Sequence, residues 1–156
     1  MPLSPNQGLL DEVNAAGSWR HVRKTKPIWV RRLERAEAIE TMEGRVQAAA
    51  GDFLCRGAAG ELWPQDARSL TDRYTATHEV DAAGWRKYEP QPDAEGALAA
   101  PVAHPFTVVA TWGRLTGKVG DYLLKSYADS ATLYPADVWV VDQGLFRATY
   151  EKAGPG

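Results

Sequence analysis

The chain has 156 residues, 44% of them hydrophobic with six Trp, and carries a formal net charge of -2 with a pI near 5.9. That balance excludes intrinsic disorder, which needs low hydrophobicity and high net charge, and it leaves no global basic field to neutralise nucleic-acid phosphates. A single cysteine, Cys55, excludes an internal disulfide and a cysteine-rich metal site, and no apolar run approaches the roughly 20 residues needed to cross a bilayer.

Residues 1–24 read as an N-terminal extension. Its first eight residues are rich in Pro, Gly and Asn and are expected to be mobile. They lack a basic segment followed by an apolar one, so no secretory signal is expected and the cytoplasm is the default compartment. Leu9 to Ala16 fits a short helix stopped by Gly17. Arg20, His21, Arg23, Lys24 and Lys26, then Arg31, Arg32 and Arg35, form a basic cluster. A solvated face explains it, with a local anion or phosphate site as the alternative.

Residues 25–76 read as a first β-rich unit. Ile28-Trp29-Val30 is β-branched and aromatic and predicts a strand. Leu33, Ala36, Ala38 and Ile39 have helical spacing, so a helix is expected around residues 33–40, with a long hairpin arm as the competing reading. Beyond Val46, glycines 51, 57 and 60 punctuate short apolar pieces, as turns between brief strands do. Cys55, beside Phe53 and Leu54, reads as a small buried hydrophobe. Ala, Pro and Gly dominate residues 77–103, and Pro90 and Pro92 bar a helix there, so this stretch is expected to be an extended linker. Residues 104–152 read as a second β-rich unit, with strands at 106–109, 122–124, 138–141 and 146–150. Residues 153–156 are expected to fray.

The two units share a pattern. Glu43–Arg56 lies over Trp112–Lys125 without a gap, placing Gly44 on Gly113, Arg45 on Arg114, Gly51-Asp52 on Gly120-Asp121 and Arg56 on Lys125. Trp63-Pro64-x-Asp66 resembles Tyr134-Pro135-x-Asp137, Leu70–Tyr74 resembles Phe146–Tyr150, and Lys26-Pro27 resembles His104-Pro105. A duplication accounts for so many anchors in one order. Gly-Asp suits a tight turn, with Gly supplying positive φ and Asp binding nearby amides. Units of about 50 residues are marginal alone, so they are expected to pack on each other or on a partner chain. The expected fold is mainly β: two small SH3-like meander or half-barrel units, packed as a pseudo-dimer with minor helix.

Thr41-Met42-Glu43-Gly44, Gly51-Asp52-Phe53-Leu54, Gly60-Glu61-Leu62-Trp63-Pro64, Gly120-Asp121-Tyr122-Leu123 and Phe146-Arg147-Ala148-Thr149-Tyr150 resemble the bacterial and phage proteins named for a PGDYG motif, present here as a degenerate tandem pair. Ala50 and Val119 stand where proline is usual, and neither copy keeps the second glycine. That family has no established activity, so the resemblance bears on fold rather than chemistry.

For chemistry, Asp52 and Asp121 are a candidate acid–base pair from symmetric positions, against the reading that each caps its own turn. His21, His78 and His104 lack zinc-site spacing, and no nucleophile elbow or phosphate loop is present, so neither metal nor cofactor is expected. Arg45, Arg56, Trp63, Arg114, Tyr122, Lys125 and Tyr134 combine rings with cations and are candidates for holding a nucleotide-like anion. Three functions follow from these residues. The first is a non-catalytic binding module recognising a small anionic ligand or a protein partner between the units. The second is a phage structural or host-takeover accessory protein, and the third a nucleotide-processing enzyme.

Overall fold

A computed structural model describes residues 5–153. The chain is mainly β. It runs α1 (Gln7–Ala16), β1 (Arg20–Lys24), β2 (Ile28–Arg32), β3 (Glu37–Thr41), β4 (Gly44–Ala48), β5 (Phe53–Arg56), β6 (Leu62–Gln65), α2 (Ala67–Arg73), β7 (Tyr74–Val80) and β8 (Arg86–Pro90). It continues with β9 (Ala97–Pro101), β10 (Phe106–Ala110), β11 (Gly113–Gly117), β12 (Tyr122–Ser126), β13 (Val138–Val141), α3 (Gln143–Thr149) and β14 (Tyr150–Lys152). The expected N-terminal helix forms, and Gly17 ends it in the left-handed conformation at φ 63°, its amide returning to Val13 and Asn14. Residues 1–4 and 154–156, where mobility and fraying were expected, lie outside the described residues. Asn6 and Ala153 just inside those limits are buried.

Two five-stranded antiparallel sheets carry the fold, in the orders β6-β5-β2-β8-β7 and β13-β12-β9-β1-β14, with hairpins β3–β4 and β10–β11 beside them. The sheets are open, and none closes into a barrel. Position by position the orders match, except that β1, from the start of the chain, occupies the place that β8 holds in the first sheet. β8 pairs Tyr88 with Ile28 and Pro90 with Tyr74. In the second sheet β1 pairs Val22 with Ala97 and Lys24 with Tyr150. The second sheet is thus completed across the whole length of the sequence.

Local structure matches at the turns as well. Leu33 donates to Asp52 O at 2.8 Å and Gly51 to Leu33 O at 2.8 Å; Val102 donates to Asp121 O at 3.0 Å and Gly120 to Val102 O at 2.8 Å. Both Gly51 and Gly120 sit at φ 90°, which an L side chain rarely adopts. The hairpins meet each other through Gln47 N to Trp112 O (3.0 Å) and Thr116 N to Glu43 O (2.7 Å). These two bonds exchange under the same shift that carries Gly44 onto Gly113, so a local twofold axis passes between β4 and β11. The approach is close enough to require glycine: a Cβ on Gly44 would stand 2.9 Å from the Arg114 carbonyl.

Each strand's alternation divides its side chains between two cores. Leu54 and Leu123 point into a core shared by both halves, with Leu33, Val46, Val102 and Leu115. Cys55 faces the other way, with Ile28, Val30, Leu70 of α2 and Tyr74. Leu124 likewise joins Val22, Ala97 and Ala99, against which Phe146 of α3 packs. Burial of each such aliphatic side chain is worth about 1.5–3 kcal/mol, and the shared core ties the halves into one unit.

Five expectations need correction. Residues 33–40 form no helix: Leu33 enters the turn, and β3 alternates with Ile39 inward and Ala38 and Glu40 outward, the hairpin arm of the competing reading. Residues 77–103 are not a free connector but contain most of β7, all of β8 and β9. β9 reads Ala-Leu-Ala-Ala-Pro because it is a central strand covered on both faces, where small side chains fit and alternation disappears. Residues 146–149 lie in α3, not a strand, since Asp142 accepts from the amides of Gly144 and Leu145 and starts the helix. Asp66 caps α2 the same way, through Ser69 N. Finally, the counterpart of Trp63 is Trp139 rather than Tyr134, for Trp63 pairs with Cys55 as Trp139 pairs with Leu124. By the same registers β2 corresponds to β9, not to the strand after His104-Pro105.

Candidate functional site

Where β6, β13, α2, α3 and the two hairpin tips converge near the local axis, they enclose a cavity of about 210 Å³. Its walls are largely aromatic and aliphatic, and Trp63 and Trp139 contribute from corresponding strands, Tyr74 and Tyr150 from corresponding strand starts. Cations cross between the halves. Lys24 Nζ, from the strand completing the second sheet, lies 4.3 Å from the Trp63 ring centre in the first and 5.4 Å from that of Tyr150. Arg73, from α2, lies 4.8 Å from the ring centre of Trp139 in the second half.

These cations are unequally satisfied. Arg73 has Asp137 at 4.0 Å and Arg23, also on the wall, has Glu151 at 3.2 Å. Among the described residues Lys24 Nζ has neither an ion pair nor a hydrogen-bond acceptor. Burial lowers its pKa from the ordinary 10.5 to about 8, against the opposing pull of Glu61. Two of the carboxylates on the wall are committed elsewhere. Asp66 caps α2 and Glu61 accepts from Ala59 N in its own turn. Burial raises Asp137 above its usual range, with Arg73 opposing. Burial also raises Glu43, at the first hairpin tip, from 4.5 to about 7 although the Asp142 amide favours its charged form.

Two buried polar atoms of residues on this wall, both sealed from solvent, have no partner among the described residues: Glu43 Oε2 and Gln65 Oε1. Gln65 is only 5% exposed, and its amide nitrogen donates weakly to Cys55 Sγ at 3.6 Å. Cys55 itself is sealed, its thiol pushed up to about 12 by burial, so it is a packing residue and not a nucleophile. An orphaned buried amide oxygen carries a desolvation cost of about 1–3 kcal/mol.

Of the seven candidates read from sequence, only Trp63 lines this cavity. Arg45 and Arg114 flank the local axis on the exposed side, Arg45 pairing with Glu40 at 3.1 Å. Arg56 pairs with Asp81 at 3.4 Å and lies 4.5 Å from the Trp85 ring centre. Tyr122 stacks on Phe146 at 3.8 Å. Lys125 is 2% exposed and donates to Thr132 O at 3.0 Å beneath Trp19. Tyr134 donates its hydroxyl to Asp11. These six are spread over the molecule and do not converge on one site.

The two aspartates are committed to their turns. Asp52 Oδ2 accepts from Ala49 N at 2.8 Å, and Asp121 Oδ2 from Lys118 N at 2.8 Å. Asp121, 1% exposed, also accepts from Lys118 Nζ at 3.2 Å and, through Oδ1, from Gln143 N at 3.0 Å. Among the described residues no cluster of three His, Cys, Asp or Glu is placed to hold a metal ion, and no helix is long and apolar enough to cross a membrane.

Sequence reading missed Arg73, Tyr150, Gln65 and Glu43 as neighbours. Lys24 alone had a signal, as part of the basic cluster read alternatively as an anion site. No family model matches the chain, and no curated protein or solved structure resembles it significantly.

Proposed function

We propose that this protein is a non-catalytic binding module that takes a small, ring-bearing anion into the cavity between its two halves. The observation that carries this reading is the ammonium of Lys24, enclosed by Trp63 and Tyr150 without an acceptor. A half-buried ammonium without an anion carries a desolvation cost, and a ligand oxygen would supply the missing partner. The rings offer apolar faces on which a planar ligand can pack. A cavity of about 210 Å³ falls below the ~300–1,000 Å³ of sites for drug-sized molecules, so the ligand is small. We further infer that the two halves descend from one duplicated unit of the PGDYG type, supported by the matching bonds at the two Gly-Asp turns. Duplication would explain how one cavity draws walls from corresponding elements.

Isothermal calorimetry with a panel of nucleoside monophosphates, nucleobase acids and aromatic carboxylates tests the reading. Binding in wild type that is lost in Lys24→Met, with the fold retained by circular dichroism, is expected. Failure of every member to bind at millimolar concentration would leave an accessory protein acting through protein contacts as the better account.

A further inference from the structure

The outer face of the first sheet lacks a cover that its counterpart in the second sheet has. Trp29 of β2 pairs with Arg56 of β5 on one side and Lys87 of β8 on the other, so these three side chains share one face. It is the face opposite Trp63 and the cavity. Arg31 follows two residues on, and the Trp85 ring, just before β8, has its centre 5.3 Å from the Arg31 guanidinium and 4.5 Å from that of Arg56. All five residues are half-buried. The second sheet repeats the arrangement: Leu98 pairs with Lys125 and His21, and Trp19 precedes β1 with Lys125 Nζ 4.7 Å from its ring centre. There two elements close over the face. Residues 127–137, between β12 and β13, stack the Tyr127 ring on His21 at 3.9 Å and give Thr132 O to Lys125 Nζ at 3.0 Å. Asn14 of α1 donates to Leu133 O in that segment at 3.1 Å and accepts from Trp19 Nε1 at 2.9 Å. Lys125 is left only 2% exposed. In the first half a short turn at 57–61 stands in place of the long segment, and β7 rather than a helix precedes β8.

We infer that this face docks an exposed loop of another protein that carries an aromatic residue beside a carboxylate. The aromatic residue follows from the second half, where the cover lays a tyrosine ring on the β1 side chain and gives an oxygen to the neighbouring cation. The carboxylate follows from the position that differs most in charge. Ala100 of the second sheet is matched by Arg31, which among the described residues has no ion pair and no hydrogen-bond acceptor. Arg32 and Arg35, where β2 runs out, are likewise without an ion pair, although Glu34 and Glu37 share their recess. Arg56 and Lys87 hold loose pairs, with Asp81 at 3.4 Å and Glu89 at 3.5 Å, which a docked acidic chain can join. Trp29 in place of Leu98 enlarges the apolar area, and Trp and Arg are among the residues that dominate binding energy at protein interfaces. This site is separate from the anion-binding cavity and does not depend on it.

The test is selection of a displayed library of random peptides on the full chain, followed by fluorescence titration of the enriched peptides. Enrichment of Tyr, Phe or Trp flanked by Asp or Glu is expected, with affinity falling about tenfold or more in Arg31→Ala and in Trp29→Ala. Arg31→Ala introduces the residue that the matching position 100 already holds, and its result stands by itself should Trp29→Ala fail to fold by circular dichroism. No enrichment, enrichment without acidic residues, or affinity unchanged in Arg31→Ala would overturn the docking site. A wild-type dimer in sedimentation equilibrium that becomes a monomer in Arg31→Ala would overturn it in favour of a contact between copies. Single-stranded oligothymidylate bound more tightly than every peptide, and lost in Arg31→Ala, would overturn it in favour of a nucleic-acid face.

Discussion

If Lys24 is held for a ligand, removing its charge should stabilise the empty protein. Lowering a lysine pKa from 10.5 to about 8 corresponds to roughly 3 kcal/mol at about 1.4 kcal/mol per unit. Lys24→Met keeps most of the apolar stem and removes that cost. It also forfeits the cation–ring attraction with Trp63, about 0.5–2 kcal/mol. The net expectation is a gain of about 1–2 kcal/mol at pH 7, or a Tm rise of roughly 2–8 °C for a chain of this size. The pH dependence follows from where the protons sit. Between pH 8 and 10.5 the unfolded chain keeps the Lys24 proton and the folded chain sheds it, so wild-type stability gains relative to the variant as pH rises. Below pH 8 both states are charged and the full cost is present. Urea unfolding of both proteins at pH 7 and pH 10 measures this, with the advantage of Lys24→Met shrinking at the higher pH. A variant less stable than wild type by 1 kcal/mol or more at pH 7, or an advantage that does not change with pH, would refute the picture of an uncompensated ammonium.

Three further outcomes are expected. Glu43 is raised by burial to about 7, so the folded state holds a proton that the unfolded chain releases near pH 4.5, and this group makes stability fall from pH 4.5 to 7; Glu43→Gln should flatten that fall in urea titrations across pH 4–8. Asp121→Asn should cost about 3 kcal/mol, because both carboxylate oxygens accept bonds in a buried position and an amide nitrogen must face a donor. Asp52→Asn, with its single bond to Ala49 N, should cost about 1 kcal/mol, and equal losses by thermal denaturation would contradict the turn-capping roles. Gly96→Ala should lower Tm more than Gly60→Ala: Gly96 has φ 84° and its Cβ would stand 2.3 Å from the Val22 carbonyl, whereas nothing lies within 4 Å at Gly60, which has a similar φ of 83°.

The mainly β class, the first helix with its glycine stop and the twin Gly-Asp turns are all legible in the residues alone. These are local: residue type, positive φ and a side-chain cap within three residues suffice to specify them. The strands at Ile28, Phe106 and Val138 were legible for the same reason, as runs of β-branched or aromatic residues. β9 was not legible, because a central strand squeezed between layers is selected for small size rather than β propensity, and Ala-Leu-Ala-Ala carries no alternation. Nor could sequence order show that β1 completes the second sheet, since Lys24 and Tyr150 meet only when the chain ends are brought together. The candidate site inherits that limit. Charges beside rings in sequence suggested Arg45, Arg56 and Lys125, yet on a strand adjacent residues face opposite sides. The cations that reach rings in the cavity come from the other half of the fold, so only tertiary structure pairs Lys24 with Trp63 and Arg73 with Trp139.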